Sequence, residues 1–332
     1  MTQRRFASGL GSLFAPASML ALVVLAPLLT PNDPSLQSSR WLNAPPTGVH
    51  VRDSGGAWRR PFIYRLVRVD QLEQRYVASK TVVPLVWLQD GRLLQSSDPE
   101  APLFILGADG LGRDVFSRLL FGARTSLALA AVSTGLALAM GALMGAVAGY
   151  RGGLTDECLM RGADVILLLP GMYAALVLRA LLPPVLPPAT VFALLTLIFA
   201  VMGAPLVARG VRGIVRTERE QDYVVASRAL GADTARIATR HLLPQTMPFL
   251  MVQATLLVPA FIVGETTFSY VGLGFPDTEP TWGTMLLEAS SARALADFPW
   301  LLAPVVAIFV VVVTMHLVGR SLGGSPEAPL AL

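Results

Sequence analysis

Few side chains in this 332-residue chain are equipped to make or break bonds. The three histidines, His50, His241 and His316, are far apart and form no His-Glu-x-x-His zinc pattern. No Gly-x-Ser-x-Gly elbow presents a nucleophile. Lys80 is the sole lysine and follows Ser79, so no Gly-x4-Gly-Lys loop can cradle a nucleotide. The lone Cys158 leaves no intramolecular disulfide. The reading is a non-enzyme with no catalytic residue, no metal site and no cofactor of its own.

The residues with the most to say lie between Thr217 and Pro244 and are arranged for contact. Thr217 and Glu220 have Thr-x-x-Glu spacing, which predicts a capping box and a helix start. That helix carries Asp222, Tyr223, Ala226, Ser227, Ala229 and Leu230 and stops at Gly231, a residue suited to a helix C-terminus. Asp233 is placed to cap a second helix, Thr234 to Leu243, expected to end against Pro244. The small side chains at the bend let another protein approach closely.

Such a hairpin needs a scaffold, and the composition says which solvent surrounds it. Hydrophobic residues make up 53% and charged residues only 14%, with mean hydropathy +0.58. Soluble domains carry roughly 25% charged residues, so water cannot be the solvent everywhere. All basic residues but Lys80 are arginines scattered between apolar runs, which suits membrane flanks rather than nucleic acid. A spanning helix needs about 20 apolar residues. Six such runs predict helices at 13–30 and at about 125–150, 163–182, 189–209, 246–265 and 299–319. Arg4 and Arg5 precede the first, and the loop 210–245 is Arg-rich, so both ends and that loop are placed in the cytoplasm. The expected order is a cytoplasmic N-terminus 1–12, an outer segment 31–105, an interfacial amphipathic helix 106–124, a spanning domain 125–322 and a C-terminal tail 323–332. Phe62–Val69 and Thr81–Leu88, the latter followed by Asp90-Gly91, predict a small β-containing insert. In the interfacial helix, Val115, Phe116, Leu119 and Leu120 form the apolar face, with Arg113, Asp114 and Ser117 turned away from it.

Within the spans, Gly141, Gly145 and Gly149 recur every four residues and suit close helix packing in lipid. A charge at membrane depth costs about 2.5–3.5 kcal/mol or more. Arg179 and Glu265 are therefore the candidates for the outer mouth of a pathway, where they would pair.

The chain resembles permease subunits of ABC importers. Their signature, Glu-Ala-Ala-x3-Gly-x9-Ile-x-Leu-Pro, has its counterpart in Val225-Ala226-Ser227, Gly231, His241, Leu243 and Pro244, with Val225 for Glu and His241 for Ile. Arg240-His241-x-Leu243-Pro244 is similar to the dipeptide/oligopeptide/nickel branch, as are Gly107–Val115, Ser269–Gly274, Pro280-Thr281-Trp282-Gly283 and Asn43–Pro46. Residues 47–103 form an insertion relative to that pattern. The resemblance implies an all-α membrane fold in the bacterial inner membrane, with a coupling loop that docks on an ATPase. It also implies a homologous permease partner, two ATPase subunits holding ATP and magnesium, and a periplasmic substrate-binding protein. Peptide is the implied cargo; nickel or another small solute remains open. An ion-coupled secondary transporter is the alternative class, though it calls for carboxylates or histidines near mid-bilayer.

Overall fold

In the computed structural model the described residues are 21, 23–52, 56–71, 73–89, 91–169, 171, 173, 177 and 186–323. Half of the first expected span, most of the second half of the third, and the tail beyond 323 lie outside them. The elements are strands β1 (His50–Arg52), β2 (Trp58–Asp70), β3 (Arg75–Gln89) and β4 (Arg92–Ser96). Helices follow: α1 (Val115–Arg151), α2 (Gly153–Leu168), α3 (Pro188–Glu218) and α4 (Asp222–Ala229). Next come α5 (Thr234–Tyr270), α6 (Trp282–Ala289), α7 (Ala292–Asp297), a 3-10 turn at Pro299–Leu302 and α8 (Ala303–Gly323). Four helices among the described residues are long and apolar enough to cross a membrane: α1, α3, α5, and Pro299–Leu322.

The helices overrun the apolar runs that announce them. α1 has 37 residues, about 55 Å at ~1.5 Å per residue, against a hydrocarbon core of roughly 30 Å. Backbone hydrogen bonding continues while nothing breaks it, and the flanking polar residues are tolerated outside lipid. α3 accordingly runs to Glu218, beyond the expected limit at 209.

The chain divides into two compact units, residues 1–16, 127–265 and 311–332 forming one, residues 17–126 and 266–310 the other. In the first unit the glycine face of α1 meets α3. A Cβ on Gly141 would lie 2.7 Å from the Ala204 carbonyl oxygen. On Gly145 it would lie 2.4 Å from that of Ala208, and on Gly149 2.7 Å from that of Arg212. Real Cβ atoms do not approach backbone oxygen so closely, so only glycine permits this helix separation. Polar ties sit at one end of the same contact. Arg219 donates from Nη1 to the Gly149 and Tyr150 carbonyls at 3.0 and 3.1 Å. Arg212 pairs with Asp156 of α2 through Nη2 at 2.6 Å, and Arg209 pairs with Asp164. Further along α3, Gly203 faces Phe261 and Gly264 faces Phe199, whose rings stack at 5.2 Å.

The second unit holds an antiparallel sheet in the order β1-β2-β3-β4. Phe62 pairs with Pro84 and Val67 with Val77, then Trp87 with Leu94. Asp90 of the expected Asp-Gly turn lies outside the described residues, while Gly91 takes φ 75°. With so few core residues a sheet this small needs support. Ile63, Val83 and Leu85 pack on Ala101 and Leu103, and Leu66 and Tyr76 on Trp41, Ala44, Phe104 and Ala108.

The expected interfacial helix at 106–124 does not form. Residues 106–114 are a loop with one bridge, Ala108 to Asp114, and α1 begins at Val115 and continues without a break to Arg151. Arg113, Asp114 and Ser117, expected on a solvated face, are buried at 1%, 2% and 0% exposure. Partners waiting inside the unit explain the reversal, as shown below.

Gly145→Val should lower the thermal midpoint of the purified chain in detergent, at a cost of about 1–3 kcal/mol for overpacking. Gly135→Ala is the matched control, since its Cβ would meet nothing within 4 Å, and should leave the midpoint unchanged.

Candidate functional site

The hairpin between α3 and α5 is held by three buried apolar anchors, Val224, Ile237 and Leu242. α4 ends in a Schellman turn: Gly231 N–H donates to the Arg228 carbonyl at 3.0 Å and Ala232 N–H to that of Ser227 at 3.1 Å. The turn requires a left-handed residue, and Gly231 supplies φ 85°. Asp233 then caps α5, its carboxylate accepting from Arg236 N–H at 3.0 Å.

Two local expectations are corrected. Thr217 and Glu220 form no capping box: Thr217 lies within α3, and its hydroxyl donates back to the Gly213 carbonyl at 3.2 Å. A threonine inside a continuing helix satisfies its hydroxyl one turn back instead of starting a new helix. Nor does the second helix stop at Pro244. A π turn at Ala238–Leu242 lets Leu243 N–H reach the Ala238 carbonyl, five residues back, and the helix continues to Tyr270. The wide turn re-registers the ladder just where Pro244 lacks a donor, so the helix survives.

What the hairpin presents is mostly small or apolar. Asp222, Ala226, Ala229 and Gly231 are exposed, Ser227 is half-buried, and Leu230 is 89% exposed. Val225, at the signature's Glu position, is also exposed. Tyr223 donates its hydroxyl to Glu218, whose bond pushes the phenol above its ordinary value, and its ring lies 5.7 Å from His241. Arg228 sits over the Tyr150 ring at 5.6 Å, tying α4 to the end of α1. His241 and Leu243 are half-buried and Pro244 is exposed. An exposed leucine on a rigid bend, flanked by alanines, can fill an apolar groove on another protein; it can catalyse nothing.

Of the other expected site residues, Arg179 lies outside the described residues. Glu265, in α5, is fully buried.

Sequence reasoning missed a second constellation, in the sheet-bearing unit. Arg113 donates from Nε to Asp109 Oδ2 at 2.7 Å and from Nη1 to Asp277 Oδ2 at 3.0 Å, and its Nη2 contacts Glu288. Arg118, 1% exposed, stands 3.7 Å from Asp109, 3.8 Å from Asp277 and 3.7 Å from Glu288. Asp114 caps α1 by accepting from Phe116 N–H at 3.1 Å and from the Ser117 hydroxyl at 2.5 Å, and Asn32 reaches it at 3.0 Å. The signal available was the excess of carboxylates in 265–297, which needed guanidinium partners from elsewhere. Burial first, and the Asp109 charge second, push the Glu288 carboxyl up to about 8, despite the opposing arginines. A neutral Glu288 still accepts from Arg113 through its carbonyl oxygen. Burial likewise lifts Asp114 to about 6.

Glu288 ordinarily releases its proton near 4.5 and in the fold near 8, so across that interval the folded chain binds more protons than the unfolded one. Its contribution to stability therefore falls as pH rises from about 4.5 to about 8 and is level above. Thermal midpoints of the wild type and of Glu288→Gln, compared at pH 5, 6.5 and 8, should diverge progressively, the wild type losing more.

Residues 141–323, more than half the chain, match the family described as "Binding-protein-dependent transport system inner membrane component". The oligopeptide transport system permease protein OppC of Bacillus subtilis is 38% identical over 210 residues, 63% of this chain and 66% of that one. The di/tripeptide transport system permease protein DppC of Pseudomonas aeruginosa is 36% identical over 243 residues, 73% and 74% of the two chains. The dipeptide transport system permease protein DppC of Bacillus subtilis is 41% identical over 179 residues, 54% of each. Among solved structures, an inward-facing chain of the MetNI methionine ABC transporter matches at TM-score 0.45 and 18% identity, covering 61% of this chain and 95% of that one. The chain belongs to the family of binding-protein-dependent transport system inner membrane components, in the peptide branch of the ABC importer permeases.

Proposed function

We propose that this chain forms half of the translocation pathway of a peptide importer in the bacterial inner membrane. It crosses the membrane six times, with both ends in the cytoplasm. It pairs with a homologous permease, receives cargo from a soluble binding protein on the periplasmic side, and stands on two ATPase subunits that bind ATP and magnesium. The exposed, capped bend around Gly231 is the observation that carries this reading. Leu230 offers 89% of its surface to solvent at the tip of a helix anchored by the buried Val224, and Val225 is exposed beside it, so a partner's groove is their natural environment. The kinship with peptide permeases supports peptide as cargo.

Mechanically, closure of the ATPase pair would push the hairpin, and the load would pass along two routes. One is through Val224 and the Tyr223–Glu218 bond into the end of α3. The other is through the π turn into α5. Helices packed backbone to backbone at Gly141, Gly145 and Gly149 move as a body, so α1 would follow α3.

The test is copurification of ATPase subunits with the tagged chain, alongside peptide uptake. Leu230→Asp removes the tip residue without touching any contact that holds the hairpin. It should leave the thermal midpoint unchanged, cut bound ATPase at least tenfold and abolish uptake. Gly231→Asp adds about 1–2 kcal/mol of left-handed strain and should do the same with some loss of stability. Undiminished ATPase binding by both variants would defeat the coupling role. Uptake driven by an ion gradient after ATP depletion would favour the secondary-transporter reading instead.

A further inference from the structure

The turn between β3 and β4 is fastened to the exit of the first expected span. Arg92 donates from Nη1 to the Pro31 carbonyl at 2.8 Å, and Pro31 stands just beyond the helical stretch that carries Val24 and Leu25. Gln89 and Arg92, paired across the turn, share the wall of a 450 Å³ cavity with Pro31, Asp33 and Leu36. Val24 and Leu25 are exposed, as the lipid-facing residues of a span are.

Beside that exit the turn displays apolar side chains. Trp87 is 56% exposed and Leu88 71%, and Leu36 is exposed near the same turn. Leu88 also takes φ 53°, a left-handed conformation that favours glycine over leucine. A large apolar residue held there and turned outward adds little to the core of its own sheet.

An independent observation concerns the tryptophans. Of five, Trp41 and Trp282 are buried and Trp300 is half-buried, so Trp58 and Trp87 are the exposed pair. β2 and β3 run antiparallel with Phe62 opposite Pro84. Trp58 precedes Phe62 and Trp87 follows Pro84, so both leave that pair in the same direction, toward the end of the sheet that Arg92 ties to Pro31. Arg52 sits over the Trp58 ring at 4.4 Å, and Arg59 and Arg60 are exposed next in the strand. Tryptophan beside arginine suits a headgroup layer, where the indole body meets apolar chains and its N–H stays wet.

We propose that this end of the sheet rests on the outer surface of the bilayer, with Trp87 and Leu88 seated between phospholipid headgroups and acyl chains beside the first span. The apolar patch begins where an apolar helix ends, so the lipid that covers the helix extends over the patch. A soluble partner would have to meet it at the membrane surface itself. Seating there braces a sheet too small to stand alone and gives the insertion 47–103 a task, holding the outer end of the first span. The inference rests on the reading of residues 13–30 as a span.

The test places nitroxide labels at Leu88→Cys, Val24→Cys and Leu230→Cys, one at a time, in a Cys158→Ser chain that lacks the native thiol. The full chain is held in nanodiscs of phosphatidylethanolamine and phosphatidylglycerol. Collisions with oxygen and with a water-soluble nickel chelate then report the depth of each label. Val24 is the lipid reference and Leu230 the aqueous one. The Leu88 label should meet nickel about threefold less often than the Leu230 label, with no fewer oxygen collisions. Trp87 is read separately in lipid brominated near the top of its acyl chains, where the difference in emission between wild type and Trp87→Phe should fall by about half. Nickel collisions at Leu88 as frequent as at Leu230, with the Val24 label in lipid, would overturn the proposal and leave the span standing. A Val24 label in water would overturn both. Scarce collisions with nickel and oxygen alike at Leu88 would mean a protein neighbour in place of lipid, and an unquenched Trp87 would likewise defeat the seating.

Discussion

The helical unit depends on how closely two backbones approach. At Gly141, Gly145 and Gly149, α1 and α3 are separated by a distance that no other residue allows. In lipid there is little hydrophobic gain from pressing helices together, so dispersion across such a seam, plus the polar ties at its end, must do the work. Arg219, reaching from α3 to the last carbonyls of α1, closes the seam on the side where the hairpin begins. A rigid pair of helices is what makes a small displacement at one end useful at the other.

The glycine seam and the bend were legible because glycine is chosen for reasons of space or dihedral angle that its spacing betrays. Gly231 sits where a Schellman turn needs a left-handed residue, and Asp233 stands two residues on, where a cap belongs. Pro244 and Thr217 misled because both carry local preferences that neighbours can override. A proline ends a helix only if the carbonyl it leaves unpaired cannot be re-registered, and the π turn does that within five residues. A Thr-x-x-Glu pair starts a helix only if the preceding one has ended, and α3 had not. The existence of a membrane fold was never in question from composition, but helix lengths were underread, since polar residues are no barrier to a helix that has left the lipid.

The Arg113 cluster shows a different limit. Amphipathic reasoning assigns charges to water, which holds when no partner is near. Here the partners are 164 and 175 residues away along the chain, at Asp277 and Glu288, and periodicity within a short window carries no trace of them. Pairing replaces solvent, and the apparent polar face of a surface helix becomes the interior of a unit. The same long-range pairing supports the small sheet, whose strands are too few to stand alone and which borrows Trp41, Leu103 and Phe104 from the flanking loops.

The π turn at Ala238–Leu242 also sets a phase. One surplus residue in a helix rotates everything beyond it by about 100° around the axis. The four residues Thr234–Ile237 therefore face a direction that an unbroken α-helical α5 would not give them. Chain length in that turn becomes a steering variable, distinct from side-chain identity. Losing a single residue there would heal the helix while swinging the bend a quarter-turn away from whatever it meets, so insertions and deletions should be rarer at this spot than substitutions.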